Sequence, residues 1–205
     1  THLIVTFDPP PPTFRHKMYP DYKANRPPAP EGLIEDCERV RERLEELDVV
    51  FCTVEGYEAD DVLGTLSSRA SMSGFQTMIL TSDLDLLQLV TPVTEVEFFR
   101  QYWINRTFDV KAAKRRFGGL APVNIPDYKA LVGDQSDNLP GVPGIGHVSA
   151  TAVLGEYDNL DGVYENLDAI SELPFRGAKR VSRLLAEHRE QAFLMRTLTT
   201  IVCDV

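Results

Sequence analysis

Cysteine is scarce and poorly placed for metal work. Only Cys37, Cys52 and Cys203 occur, and no two of them form a CxxC pair. That spacing excludes a zinc cluster and a disulfide framework, and it fits a reducing interior. The four histidines, His2, His16, His147 and His188, share no ligand spacing either and read as surface or satisfied core residues. Long apolar runs are missing: no stretch approaches the ~20 residues of a membrane span. No signal-peptide pattern is present, so a cytoplasmic location without a membrane partner is expected. Cations are short as well. The 205 residues carry 21 Lys plus Arg against 31 Asp plus Glu, a net charge of −10. Phosphate binding ordinarily needs a basic footprint, which this balance denies it. The objection lifts if many of the acids cluster where cations neutralise them.

What is present organises as an α/β chain. Hydrophobic content is 43%, ordinary for a globular protein. Residues 3–7, LIVTF, read as a buried strand ending at Asp8. Residues 9–30 are proline-rich, with Phe14, Tyr19 and Tyr22 set among Arg15, Lys17, Lys23 and Arg26; they read as a loop or lid. Helical spacing runs from Glu31 to Leu47, a strand over 49–54, a helix over 58–72, and a strand from Thr77 that ends at Asp83. The order β, α, β, α, β predicts a doubly wound sheet whose ligands sit at the carboxyl ends of its strands. A hairpin is expected over 93–108, then helices over 109–117, 124–132, near 147–156 and near 177–196, and a final strand over 197–205.

Acids recur at the predicted strand and helix ends: Asp8, Glu58 with Asp60 and Asp61, Asp83 with Asp85, and Asp134 with Asp137. On a helix Glu58 and Asp61 share a face; in extended chain Asp83 and Asp85 point the same way. Gathered in one pocket these carboxylates could not all stay ionised without counter-charge. Hard divalent ions with oxygen ligands supply it, and two of them ~4 Å apart form the usual clamp for phosphodiester hydrolysis. Each cluster taken singly also has a plain structural reading. "EADD" suits a helix N-terminus, and "SDLD" suits a turn or cap. "PGVPGIG", Pro140 to Gly146, precedes a helix and would let backbone N–H groups approach a phosphate. It is neither a Walker loop nor a Rossmann fingerprint, and a plain inter-helix turn is its alternative. The mixed rings and bases of the lid suit a single strand, or equally a solvated proline loop.

Five stretches together resemble the bacterial 5′–3′ exonuclease and flap endonuclease family, which includes the N-terminal nuclease domain of DNA polymerase I. They are "FD" at 7–8, "TFRHKMYPDYKANRPP" at 13–28, "EGYEADDVLGTL" at 55–66, "SDLDLLQLV" at 82–90 and "GDQSDNLPGVPGIG" at 133–146. The resemblance implies a PIN-like, mostly parallel α/β core over 1–124 with a basic arch at about 9–48. A helix–three-turn–helix DNA-binding subdomain would follow over 125–196, and a returning strand of the core over 197–205. It implies that Asp8, Glu58, Asp60, Asp61, Asp83, Asp85, Asp134 and Asp137 hold or orient two or more Mg²⁺ or Mn²⁺ ions. Lys23 and Arg26 would contact the scissile phosphate, so that Lys23, Arg26, Asp60 and Asp83 carry catalysis. DNA contacts would come from Arg15, Tyr22, Lys23 and Arg26 in the arch. In the glycine turn they would come from Gly141, Val142, Gly144, Ile145, Gly146, His147 and Ser149, with a K⁺ ion there.

The expected activity is metal-dependent 5′–3′ exonucleolytic and 5′-flap cleavage of DNA by a monomer, with a polymerase domain possible C-terminal in the same chain. The family begins with a strand carrying an early Asp, so the chain is read as a piece of something longer. A non-catalytic DNA-binding module is the alternative. Two further departures are that Leu84 stands where the family carries a basic residue, and His147, Val148 and Ser149 where a Lys often follows the turn.

Overall fold

The β-branched run of strand β1 (Ile4–Thr6) pairs in parallel with β2 (Val50–Cys52), Ile4 opposite Val50. The computed structural model describes residues 2–99 and 106–205. Between the two strands lie α1 (Phe14–Met18) and α2 (Leu33–Glu46). The first is a correction to the lid, which was expected as loop throughout. Thr13 starts it, with its hydroxyl 2.9 Å from His16 Nδ1.

Helix α3 (Ala59–Met72) follows β2, and strand β3 (Thr77–Thr81) pairs in parallel with β4 (Thr94–Phe98). Strand β5 (Arg106–Phe108) closes this second sheet antiparallel to β4, as the expected hairpin requires; the residues joining them, 100–105, lie outside the described ones. The described strands thus form two small sheets, β1–β2 and β3–β4–β5, and α3 packs against a strand of each. Their outer faces leave Ile4, Val50, Met78 and Leu80 exposed.

The second half is helical: α4 (Val110–Arg116), α5 (Ile125–Val132), α6 (His147–Tyr157), α7 (Leu160–Glu165), α8 (Ala178–Glu187) and α9 (Arg189–Thr199). The single helix expected near 177–196 is two, with His188 outside helical geometry between α8 and α9. Leu131, Leu154, Leu160, Ile170, Leu185 and Met195 fill one core beneath these helices. Ile79, Leu86, Leu87, Val96, Phe108 and Ile125 fill a second beneath the larger sheet. Among the described residues no helix is long and apolar enough to cross a membrane.

The returning strand expected over 197–205 does not form. Thr197 to Thr199 belong to α9, and the segment after it lies along α3, where side chains take its backbone donors. Val202 N donates to Asp61 Oδ1 at 2.9 Å and Val205 N to Thr65 Oγ1 at 3.1 Å. Gly64 makes this approach possible, since a Cβ there would meet Ile201 Cγ2 at 2.6 Å. Arg15 clamps the same place. Its guanidinium donates to both Asp61 oxygens at 2.6 and 2.7 Å, to Leu198 O at 2.8 Å and to Thr200 O at 2.9 Å. Asp61 is fully buried and Arg15 nearly so. Removing one partner of a buried pair strands the other charge. Arg15→Met is therefore expected to lower the unfolding free energy by about 3–5 kcal/mol in urea denaturation. A loss below about 1 kcal/mol, the range of exposed pairs, would show the clamp to be dispensable.

Candidate active site

Four segments bring acids within electrostatic reach of one another. Asp8 follows β1, and its Oδ1 accepts from Ala59 N at 2.8 Å, in the first turn of α3. Glu58 and Asp60 open α3. Asp83 and Asp85 follow β3, with Asp83 Oδ1 accepting from Asp85 N at 2.8 Å. Asp134 and Asp137 sit in the loop after α5, which Asp134 and Leu139 close by exchanging backbone hydrogen bonds of 2.8 Å. Oxygens of Asp85, Asp134 and Asp137 lie within 4.8 Å of one another.

The lid is stitched onto this loop. Asn25 Nδ2 donates to Gln135 O at 2.8 Å, and Asn138 Nδ2 donates to Asp21 O at 2.7 Å. Lys23 adopts a left-handed backbone with φ 56°, rare for a side-chain-bearing residue, and its N–H donates to Asp137 O at 3.0 Å. That geometry sends Lys23 Nζ to Glu58 Oε1 at 2.7 Å. Arg26 Nη2 donates to Asp137 Oδ1 at 2.7 Å. The buried Tyr22 hydroxyl stands 3.0 Å from Glu58 Oε2 and 3.0 Å from Asp137 Oδ2, so its one proton serves one carboxylate at a time. Burial, then Glu58 and Asp137, hold that phenol well above its usual range.

Lys129 of α5 is the cation that sequence reasoning missed. Its ammonium donates to Asp85 Oδ1 and, at 2.5 Å, to Asp134 Oδ2. Burial works to lower its pKa, but the two carboxylates outweigh burial and raise it. Burial likewise works to raise Asp134, yet Lys129 and Ser136 hold it below the usual carboxylate range. Such cover does not keep every acid in its usual range. Burial, then the charges of Asp83, Asp8 and Glu58, push Asp60 up to about 7 from 3.8, with Lys23 opposing. Asp85 is raised as well, by burial first and then by Asp83 and Asp134, against Lys129. The set is all carboxylate oxygen with a surplus of negative charge, which fits hard divalent ions.

The glycine turn is built around two close contacts. Gly141 has φ 63°, and a Cβ there would strike Gly133 N at 2.3 Å. Gly144 has φ 82°, and a Cβ there would lie 2.5 Å from Arg180 Nη2 of α8. An arginine from a distant helix thus stands where a basic residue after the turn was expected and absent. The first N–H groups of α6, which starts at His147, have no intrahelical acceptor and face the exposed end of the turn.

Two family models cover the chain. The 5′–3′ exonuclease N-terminal resolvase-like domain matches residues 1–118, and the 5′–3′ exonuclease C-terminal SAM fold matches residues 120–205. The chain belongs to the 5′–3′ exonuclease family, whose members are nucleases. DNA polymerase I of Pseudomonas aeruginosa is 41% identical over 205 residues, covering 99% of this chain and 22% of that protein. DNA polymerase I of Chloroflexus aurantiacus is 40% identical over 196 residues, covering 94% and 20%. The chain thus spans about a fifth of the length of these relatives. In fold it is similar to the zinc-bound 5′-exonuclease of T5, with a TM-score of 0.76 at 23% identity over 98% of this chain and 74% of that one. It is also similar to the DNA-bound catalytic core of Rad2, with a TM-score of 0.58 at 17% identity over 95% and 62%. The α/β, PIN-like core with a helical second half expected from the sequence is the fold observed.

Within this exonuclease-family frame, five of the residues assigned from sequence stand apart from their expected roles. Asp61 spends both oxygens on Arg15, Glu58 N and Val202 N, leaving it a brace rather than a ligand. Arg15 is buried in the same brace, out of reach of DNA. Val142 and Ile145 are buried core residues whose N–H groups donate to Leu131 O and Val142 O, so neither offers a donor to phosphate. Tyr22 is buried too, and its hydroxyl faces Glu58 and Asp137. Asp8, Glu58, Asp60, Asp83, Asp85, Asp134 and Asp137 share one electrostatic network with Lys23, Arg26 and Lys129.

The sign of the Asp60 shift fixes a pH dependence. A carboxyl raised in the folded state contributes stability that is complete below its unfolded value of 3.8 and is lost as pH rises through about 7. Metal-stripped protein is expected to melt higher at about pH 5 than at about pH 8, and Asp60→Asn to remove most of that rise in a thermal-shift series. A flat wild-type profile would contradict the crowding. Lys129→Met should tighten Mn²⁺ at least about ten-fold, read as the half-saturation point of the melting shift, because a competing charge is gone. Unchanged or weaker Mn²⁺ binding would show that Lys129 does not compete with the ion.

Proposed function

We propose that this chain is a divalent-metal-dependent, structure-specific nuclease that hydrolyses DNA phosphodiester bonds at 5′ ends and 5′ flaps. The observation that carries the reading is the convergence of carboxylates from four separate segments, where burial and neighbouring acids push Asp60 and Asp85 above the usual carboxylate range. Seven acids against Lys23, Arg26, Lys129 and an Arg15 already shared with Asp61 are a poor way to stabilise a fold and a sound way to hold ions. Mg²⁺ or Mn²⁺ suits the oxygen-only set, Asp85, Asp134 and Asp137 offering one group of ligands and Asp8, Asp60 and Asp83 another. When bound, such ions supply Lewis-acid charge to the attacking and leaving oxygens of phosphoryl transfer.

The protein's own residues do the positioning. Lys23 and Arg26 border the acids on lid residues tied to the 134–138 loop, where their cations can meet a scissile phosphate. The glycine turn, with Gly144, Gly146, His147 and Ser149 exposed or half-buried, offers backbone donors and Arg180 to the duplex strand. A K⁺ ion at that turn would add charge. The core over 1–124 cuts and the helices over 125–196 hold the duplex. The length of the relatives supports a polymerase in the same natural chain.

Asp83→Asn and Asp134→Asn are each expected to lower cleavage of a 5′-flap DNA in Mn²⁺ by roughly 100-fold or more while far-ultraviolet circular dichroism is retained. EDTA should abolish wild-type cleavage without abolishing binding, and Mn²⁺ should raise the melting temperature. Wild-type cutting rates in both variants would refute the site. Binding with no cutting in any divalent metal would mark a non-catalytic module.

A further inference from the structure

Helix α4 breaks the acidic character of the chain. Within seven residues it carries Lys111, Lys114, Arg115 and Arg116, all exposed. Among the described residues none of the four makes an ion pair. Lys111, Lys114 and Arg115 stand at i, i+3 and i+4, so they share one helix face. That face lines an open groove of about 780 Å³ whose opposite wall is the Thr91–Pro92 turn. Two acids touch the groove. Asp109 is committed to the helix, its Oδ1 accepting from Ala112 N at 2.6 Å, and Glu95 stands on β4. Clustered unpaired cations in a protein of net charge −10 make a local positive field that attracts an external anion.

The groove does not stand alone. Its end is the Gly118–Gly119 turn, and a Cβ on Gly118 would touch Thr151 Cγ2 at 3.0 Å and His147 Cε1 at 3.4 Å. The end of α4 therefore abuts the first turn of α6, the helix that begins at the glycine turn. Tyr128 reinforces the joint: its hydroxyl is 3.0 Å from His147 Nδ1, and its ring packs edge-on against Phe117. One surface thus runs from the glycine turn across His147 to the α4 cations. A repeating anion fits it better than a point anion. The rise from Lys111 to Arg115 is about 6 Å, near the ~6.8 Å axial span of two successive phosphate steps of one DNA strand at ~3.4 Å each.

We propose that Lys111, Lys114 and Arg115 form a second duplex contact that grips the phosphate backbone beyond the glycine turn. This rests on the DNA-cleaving reading above and deepens it by stating where the duplex runs. The contact carries no sequence information; it lengthens the duplex that the protein senses.

The test uses the 205-residue chain in EDTA and fluorescence anisotropy with two flap DNAs whose duplex arms differ by about one helical turn, ~10 base pairs. Wild type should bind the longer arm more tightly. Lys111→Gln/Lys114→Gln/Arg115→Gln keeps good helix formers and should lose that gain. It should weaken the long-arm complex about 10- to 100-fold and reduce the slope of log K against log salt by about 2 to 3. Should the triple variant not fold, each single Gln variant should still reduce the slope by about 1. Identical affinity and slope in a folded triple variant overturns the proposal and leaves the nuclease reading intact. Wild type that binds neither DNA overturns the nuclease reading first and this contact with it. Capture of a labelled polyglutamate peptide that the triple variant loses, with DNA binding unchanged, assigns the face to an acidic protein segment and also overturns the proposal.

Discussion

Carboxylates repel one another, and this protein brings several together on purpose-built supports. Its internal cations relieve only one flank. Lys129 lies between Asp85 and Asp134, Arg26 meets Asp137, and Lys23 meets Glu58. Asp60 makes no ion pair among the described residues and has the charge of Lys23 in its favour, set against Asp83, Asp8 and Glu58. A proton is then the counter-charge of last resort, and a divalent ion is a better one. The same imbalance makes the site a binding site and a source of instability.

Such a site needs a frame that does not yield. Arg15, Asp61 and the segment after α9 supply it, joining the lid, α3 and the helical half through one buried guanidinium. The close seat of that segment on Gly64 completes the joint. The brace also reaches Glu58, whose N–H donates to Asp61 and whose carboxylate lies 3.6 Å from Arg15, and because α3 carries Asp60 as well it fixes that acid's position. The lid is held from the other side, by backbone and side-chain bonds to the loop of Asp134 and Asp137. Lid and loop are therefore tied to each other, and the lid's cations lie in register with the acids.

"EADD" illustrates where pattern reading succeeds and where it stops. The i, i+3 spacing correctly paired Glu58 with Asp61, and Asp61 does accept from Glu58 N. Yet the pairing is a helix cap, and Asp61 turns inward to Arg15, while Asp60 between them faces the other acids. Periodicity tells which residues share a face; it is silent on what that face meets. Lys129 was overlooked for the matching reason. A lone lysine in a short helix has no local signature, and its role exists only because Asp85, 44 residues away, is folded against it. Arg180 over Gly144 is a third case, a contact between a turn and a helix far along the chain.

From the sequence alone came the α/β order, the acids at strand and helix ends, the glycine turn before a helix, and a resemblance strong enough to name a nuclease family. These are local signals: periodicity, caps, turn residues and short motifs. Tertiary structure alone decided which acids face one another, which are spent on cations, and that the chain's end lies along α3 instead of returning as a strand. It also decided that the cations of α4 stand beside the helix of the glycine turn. Charge pairing depends on distances of a few ångströms between residues far apart in the chain, and only the folded packing sets those distances.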